Sequence, residues 1–263
     1  MVRIGLFDSG FGGLTVMREV MRQLPGANVE FYGDNARAPY GPLSKERIAE
    51  YVQQILNFLG SKDIDIAIIA CNTATAAAWE EMKDKHPFPV LGVIKPGAKG
   101  ALAATRNKKV GVIGTQFTID SGAYEFEMQA VDPAVEVIGQ ACPKFTYLVE
   151  AGKTSGPEVD ETVSGYLKTF KGTGIDTLVL GCTHYPILLN SIKKYLDLGI
   201  TIVDPAVETV AEAKKIILEK GLALDSAAPV YNFYTSGDPL LFAAVATKIL
   251  GWQIDKVEKV TLG

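Results

Sequence analysis

The sequence predicts an α/β protein built from two pseudo-symmetric α/β domains, each with a mainly parallel sheet flanked by helices. Three observations predict it. First, two apolar runs end on a small residue and a cysteine: Ile64-Asp65-Ile66-Ala67-Ile68-Ile69-Ala70-Cys71-Asn72-Thr73 and Ile175-Asp176-Thr177-Leu178-Val179-Leu180-Gly181-Cys182-Thr183-His184. Apolar runs of this length, stopped by a small residue, read as buried parallel strands. Second, the surroundings of the two runs repeat. Arg3-Ile4-Gly5-Leu6-Phe7-Asp8-Ser9 resembles Lys109-Val110-Gly111-Val112-Ile113-Gly114-Thr115, an offset of 109 − 3 = 106. Val29-Glu30-Phe31-Tyr32-Gly33-Asp34 resembles Val135-Glu136-Val137-Ile138-Gly139-Gln140 at the same offset, and the cysteines follow in the same order. Third, strands alternate with segments of helical period, the signature of parallel sheets.

Each copy reads strand, polar loop, helix, strand, helix, strand. In the first, helices are expected near Leu14 to Gln23 and Lys45 to Leu59. Ile48, Tyr51, Val52, Ile55, Leu56 and Leu59 recur at helical spacing, and Ser44 is a suitable N-cap. A further helix starts after Cys71 and runs through Ala74 to Met82. In the second copy, Glu158 to Phe170 repeats the helical pattern. Lys95-Pro96-Gly97-Ala98 and Asp204-Pro205 are the expected crossovers between domains. The remainder holds a helix Val207 to Glu219, a strand near Val230 to Tyr234 and a helix Leu240 to Leu250, too little for a third domain. The expected domains are therefore 1–96 plus 207–263, and 97–206.

The 263 residues are 48% hydrophobic and 21% charged, as in ordinary globular chains. Net charge is −4 and no Lys/Arg block occurs, which argues against nucleic acid as a partner. The first apolar stretch breaks at Asp8-Ser9-Gly10, unlike a signal peptide, and no run approaches the roughly 20 residues that span a membrane. A cytoplasmic location with no membrane partner is expected. Three cysteines without a Cys-x-x-Cys, and only two histidines, argue against a disulfide framework or a metal site.

Open α/β sheets bind ligands beyond the carboxyl ends of their strands. Cys71 and Cys182 stand at such ends. A thiol followed by a helix N-terminus has its thiolate favoured by the helix dipole. A lone strand-end cysteine is usually a small buried hydrophobe. Two at matched repeat positions, each with polar followers, point to chemistry: one thiol removes a proton from a carbon and the other returns it to the opposite face. His184 can assist Cys182 or orient a ligand. Asp8-Ser9-Gly10-Phe11-Gly12-Gly13-Leu14-Thr15 fits neither nucleotide-binding glycine pattern; it supplies either helix-start amides for a carboxylate or a helix cap. Asp34-Asn35-Ala36-Arg37-Ala38-Pro39-Tyr40-Gly41-Pro42 is a proline-stiffened loop at the same sheet edge, either a rigid turn or a cover for a ligand. Cys142, before Pro143, reads as packing, and His86 as a solvated surface residue.

As a set, Asp8-Ser9-Gly10-x-Gly12-Gly13-Leu14-Thr15, Gly33-Asp34-x-x-x-x-Pro39-Tyr40-Gly41, Ala70-Cys71-Asn72-Thr73 and Gly181-Cys182-Thr183-His184-Tyr185-Pro186 resemble the signatures of the glutamate racemases of the aspartate/glutamate racemase superfamily, in that family's order. The resemblance implies a cofactor-independent isomerase that interconverts L- and D-glutamate for peptidoglycan. It implies an active site in the cleft between the two domains, and a homodimer. It makes Cys71 and Cys182 the acid/base thiols, Asp8 the assistant of Cys71 and His184 that of Cys182, with Glu150 near the histidine. Ser9, Tyr40, Gly41, Asn72, Thr73 and Thr183 match positions that hold glutamate, and Thr115 and Thr118 add contacts. Rival expectations are a racemase of aspartate or another acidic amino acid, a two-lobed protein that binds an amino acid without turning it over, and a redox dithiol protein.

Overall fold

A computed structural model describes residues 1–224 and 228–263. The chain divides into two compact units, residues 1–93 with 209–263, and residues 94–208. In the first unit the order is β1 (Arg3–Asp8), α1 (Leu14–Gln23), β2 (Asn28–Gly33), α2 (Lys45–Gly60), β3 (Ile66–Ile69), α3 (Asn72–Met82) and β4 (Val90–Gly92). The second holds α4 (Ile94–Ala104), β5 (Lys109–Gly114), α5 (Gln116–Asp120), α6 (Ala123–Gln129), β6 (Glu136–Ala141), α7 (Pro143–Glu150), α8 (Pro157–Leu167), β7 (Thr177–Gly181), α9 (Leu189–Tyr195) and β8 (Thr201–Val203). Helix α10 (Pro205–Glu219) begins in the second unit and ends in the first, which then adds β9 (Tyr231–Thr235), α11 (Pro239–Leu250) and β10 (Glu258–Lys259).

The first sheet runs β10-β9-β2-β1-β3-β4 and the second β6-β5-β7-β8. All their described pairings are parallel. Strands β2 and β3 are buried along their whole length, as strands covered by helices on both faces must be. Strand β9 extends this sheet, with Val29 paired to Tyr231 and Phe31 to Phe233. Phe242 of α11 packs against Phe11, Phe31 and Phe233, tying the C-terminal segment to the β1–β2 region.

Helix α2 forms where its sequence period predicts. The Ser44 hydroxyl accepts from the Arg47 amide, and Ile48, Val52, Ile55, Leu56 and Leu59 face inward. Each such side chain, fully buried, contributes roughly 1.5–3 kcal/mol of transfer free energy.

The segment Lys95-Pro96-Gly97-Ala98 lies just past the boundary between the units and is helical, within the first half of α4. Pro96 is the third residue of that helix, where no intrahelical amide bond is lost. Gly97 lies flush on Pro205: a Cβ there would come within 2.8 Å of the proline ring, so the glycine serves close packing rather than a turn. Likewise Asp204-Pro205 opens α10, with the Asp204 carboxylate accepting from the Ala206 amide at 3.0 Å. His86 is half-buried rather than solvated, stacked on Phe88 with ring centroids 5.3 Å apart. Cys142 is fully buried in the core of the second unit, as packing requires. Among the described residues no helix is long and apolar enough to cross a membrane.

Candidate active site

In the first unit the chain reverses direction across the sheet between β1 and β3, which pair directly while β2 lies on the other side of β1. Parallel sheets leave a crevice at such a point, beyond the strand ends. Asp8 closes β1 and Cys71 follows β3 by two residues. The Ala70 amide donates to the Phe7 carbonyl at 2.9 Å, which holds these two strand ends level.

Cys71 is the N-cap of α3, its sulfur accepting from the Ala74 amide at 3.5 Å. The Ser9 hydroxyl lies 3.4 Å from the same sulfur. Asn72 and Thr73 occupy the first turn of α3 and are buried. The Thr75 hydroxyl donates to the Cys71 carbonyl at 2.9 Å and accepts from the Val93 amide at 3.4 Å, pinning the strand end to the helix. Neither Asp8 nor Ser9 caps α1, whose N-cap is Gly13 without a side-chain bond. The Asp8 carboxylate, fully buried, accepts from the Gly10 amide at 2.9 Å and shapes the turn.

The loop after β2 is organised by Asp34, a residue that stands in the sequence motifs without an assigned role. Its buried carboxylate accepts from the Tyr40 hydroxyl, from Arg37 Nε at 2.7 Å and from the Ser236 hydroxyl at 2.8 Å. The Ser236 hydroxyl in turn accepts from the Ala36 amide. Burial and the Asp34 charge push the Tyr40 phenol well above its ordinary range, so it stays protonated and donates. Gly41 follows in the same loop, half-buried.

In the second unit β5 lies between β6 and β7, and the pairing of Gly114 with Gly181 brings Thr115 and Cys182 to the ends of neighbouring strands. No α-helix starts at Cys182. A single 3₁₀ turn (Tyr185–Leu188) intervenes before α9, so the helix-dipole support expected for both thiols is present at Cys71 alone. Cys182 has His184 instead: their Sγ and Nδ1 are 3.7 Å apart, and His184 Nε2 lies 2.6 Å from Glu150 Oε1. Burial opposes a charge on His184, but the bonds to Cys182 and Glu150 outweigh it and raise its proton affinity well above that of an ordinary histidine. The imidazolium then donates from both nitrogens.

Thr146, one turn before Glu150 on α7, places its hydroxyl 4.0 Å from Cys182 Sγ. No sequence signal singles it out. Thr183 is buried beside the thiol. Thr115 caps α5, accepting from the Thr118 amide at 3.2 Å, and its hydroxyl shares a 2.9 Å bond with that of Thr118. Burial, with Cys182 nearby, keeps Tyr124 and Tyr185 neutral. The thirteen residues singled out in the sequence divide between the two units: Asp8, Ser9, Tyr40, Gly41, Cys71, Asn72 and Thr73 belong to the first, and Thr115, Thr118, Glu150, Cys182, Thr183 and His184 to the second.

Residues 4–213 match the model of the Asp/Glu/Hydantoin racemase family. A glutamate racemase of Corynebacterium diphtheriae is 45% identical over 257 residues, covering 97% of both chains. Among solved structures, a glutamate racemase isoform from Bacillus anthracis superposes with a TM-score of 0.94 at 39% identity, covering 99% of this chain and 98% of its own. A glutamate racemase from Francisella tularensis, solved in complex with D-glutamate, gives 0.91 at 35% identity, covering 99% and 97%. The chain belongs to the Asp/Glu/Hydantoin racemase family, a family of isomerases with this α/β architecture.

Proposed function

We propose that this chain interconverts L- and D-glutamate without a cofactor, that Cys71 and Cys182 are the two acid/base thiols, and that the product supplies D-glutamate to peptidoglycan in the cytoplasm. The observation that carries the reading is the pair of matched strand-end thiols, each 6% exposed and each with its own polar partners. Relatives covering nearly the whole chain are glutamate racemases, and one of them was solved with D-glutamate bound.

The α-proton of an amino acid is far less acidic than a thiol, so the site has to stabilise a carbanion-like transition state by position and electrostatics. One thiol starts ionised and the other protonated; each turnover exchanges the two states. In this reading Asp8 assists Cys71, while His184, oriented by Glu150, assists Cys182. Ser9, Tyr40, Gly41, Asn72, Thr73, Thr115, Thr118 and Thr183 hold the substrate. The Asp34 network then fixes Tyr40 and Gly41 in place. A homodimer is part of the same proposal.

Polarimetry of L-glutamate with purified protein and no added cofactor tests the reading. Rotation should decay to zero, with aspartate slower by on the order of a hundredfold, because a side chain one methylene shorter misplaces the α-carbon by about 1 Å. Equal kcat/KM for the two amino acids would replace the assignment with a racemase of broader specificity.

A further inference from the structure

We propose that Thr146 is a positioning residue for the Cys182 thiol, its hydroxyl donating to the sulfur whenever that sulfur is ionised. The inference deepens the proposed two-thiol reaction and rests on it.

Three observations carry it. Thr146 is half-buried on α7, and Cys182 Sγ at 4.0 Å is its one side-chain hydrogen-bond partner among the described residues. Helix α7 bears Thr146 and Glu150 four residues apart, on one face. From that face Glu150 reaches His184 and Thr146 reaches the thiol, so one rigid element controls two sides of Cys182. Cys182 lacks the helix N-terminus that serves Cys71, so a neutral donor there has more to contribute.

A donor beside sulfur favours the thiolate over the thiol, because only the thiolate is a strong acceptor. The other groups facing Cys182 are His184 in its own turn, Glu150 behind the imidazole, Cys142 at the head of α7, Tyr185 in the following turn and Tyr124 of α6. The last three are buried, with burial raising their pKa values, and stay neutral at ordinary pH. Among the described residues, His184 lies beside the sulfur as Thr146 does, with Glu150 behind the imidazole.

The test is the pH profile of iodoacetamide alkylation, read separately at Cys71 and Cys182 by peptide mass spectrometry, in the parent, Thr146→Val and Thr146→Ser proteins. The expected result is that Thr146→Val moves the half-maximal pH at Cys182 upward by about one unit. Cys71 should be unmoved, and Thr146→Ser should restore the parent profile. Melting curves identify any variant that has lost its fold, and Thr146→Ser keeps the proposal testable if Thr146→Val does so. A Cys182 profile unchanged in Thr146→Val, or a shift of the same size at both cysteines, overturns the proposal. Because alkylation needs no turnover, this outcome is independent of whether glutamate is the substrate. If glutamate is racemised, kcat should fall in Thr146→Val and recover in Thr146→Ser, with KM little changed.

Discussion

His184 Nε2 lies 2.6 Å from Glu150 Oε1, joining the last residue of α7 to the turn that follows β7. The histidine is almost fully buried, while the carboxylate is about one-third exposed. In that setting burial works against a charged imidazole, and the bonds to Cys182 and Glu150 favour it.

The pair makes stability depend on pH with a definite sign. His184 has its proton affinity raised on folding, so its stabilisation is complete below the ordinary histidine value near 6.5 and is lost as pH rises through the folded titration. Glu150→Gln removes one of the two supports. Urea melts should show a loss of about 1–2 kcal/mol near pH 6, shrinking toward high pH as the parent also loses its imidazolium. Parallel stability curves for parent and variant from pH 5.5 to 9 would show that the carboxylate does not hold the proton.

The division of labour proposed for the two thiols is open to direct measurement. Racemisation should collapse in both Cys71→Ser and Cys182→Ser, since each turnover needs a base and an acid and a serine hydroxyl is a far weaker base. Elimination from N-hydroxyglutamate needs only proton removal. Cys71→Ser should still act on the L form and Cys182→Ser on the D form. The opposite pattern exchanges the two assignments, and equal loss on both enantiomers in both variants ends the two-base mechanism.

Cys71 has a structural task separate from the chemical one proposed for it. It caps α3 through sulfur, a long and weak acceptor at 3.5 Å, whereas serine ranks among the best N-caps. Cys71→Ser should therefore keep its melting temperature, or gain about 0.5 kcal/mol, while losing racemisation. A loss beyond about 1 kcal/mol would mean that the thiol stabilises by packing rather than by capping.

Gly181 ends β7 immediately before Cys182, and a Cβ on it would sit 2.7 Å from the Ile113 carbonyl oxygen. Backbone in a central strand cannot give way cheaply. Gly181→Ala should cost about 1–3 kcal/mol and displace the thiol, lowering kcat. Gly165, inside α8, has nothing within 4 Å of its added Cβ, so Gly165→Ala should stabilise by about 0.5–1 kcal/mol with activity unchanged. Similar effects of the two substitutions in denaturant melts would contradict this contrast.

Much of the fold was legible because its signals are local. The apolar runs before Cys71 and Cys182 became β3 and β7, and the spacing of Ile48, Val52, Ile55 and Leu59 became the buried face of α2. A strand buried on both faces, or a helix with one apolar stripe, writes its burial into neighbouring residues. The strand-end positions of both thiols follow from the same signals, as does the closeness of His184 to Cys182, two residues apart in one turn.

Where the chain's preferences met tertiary packing, packing decided. Pro96 and Gly97 look like breakers, yet α4 runs through them because the proline sits in the first turn and the glycine fits against Pro205. The lack of an α-helix at Cys182 depends on how the Tyr185-Pro186 segment packs, with the Tyr185 hydroxyl reaching back to the Cys142 carbonyl. Asp34 meets Ser236 across 202 residues of chain, and Thr146 meets Cys182 across 36. By itself, then, the sequence determined the buried strands β3 and β7, the apolar face of α2, and which thiols stand at strand ends. Tertiary structure alone decided which hydroxyls and carboxylates surround those thiols. Periodicity records only which face of an element is buried, whereas a hydrogen bond between distant residues depends on the three-dimensional register of the elements that carry them.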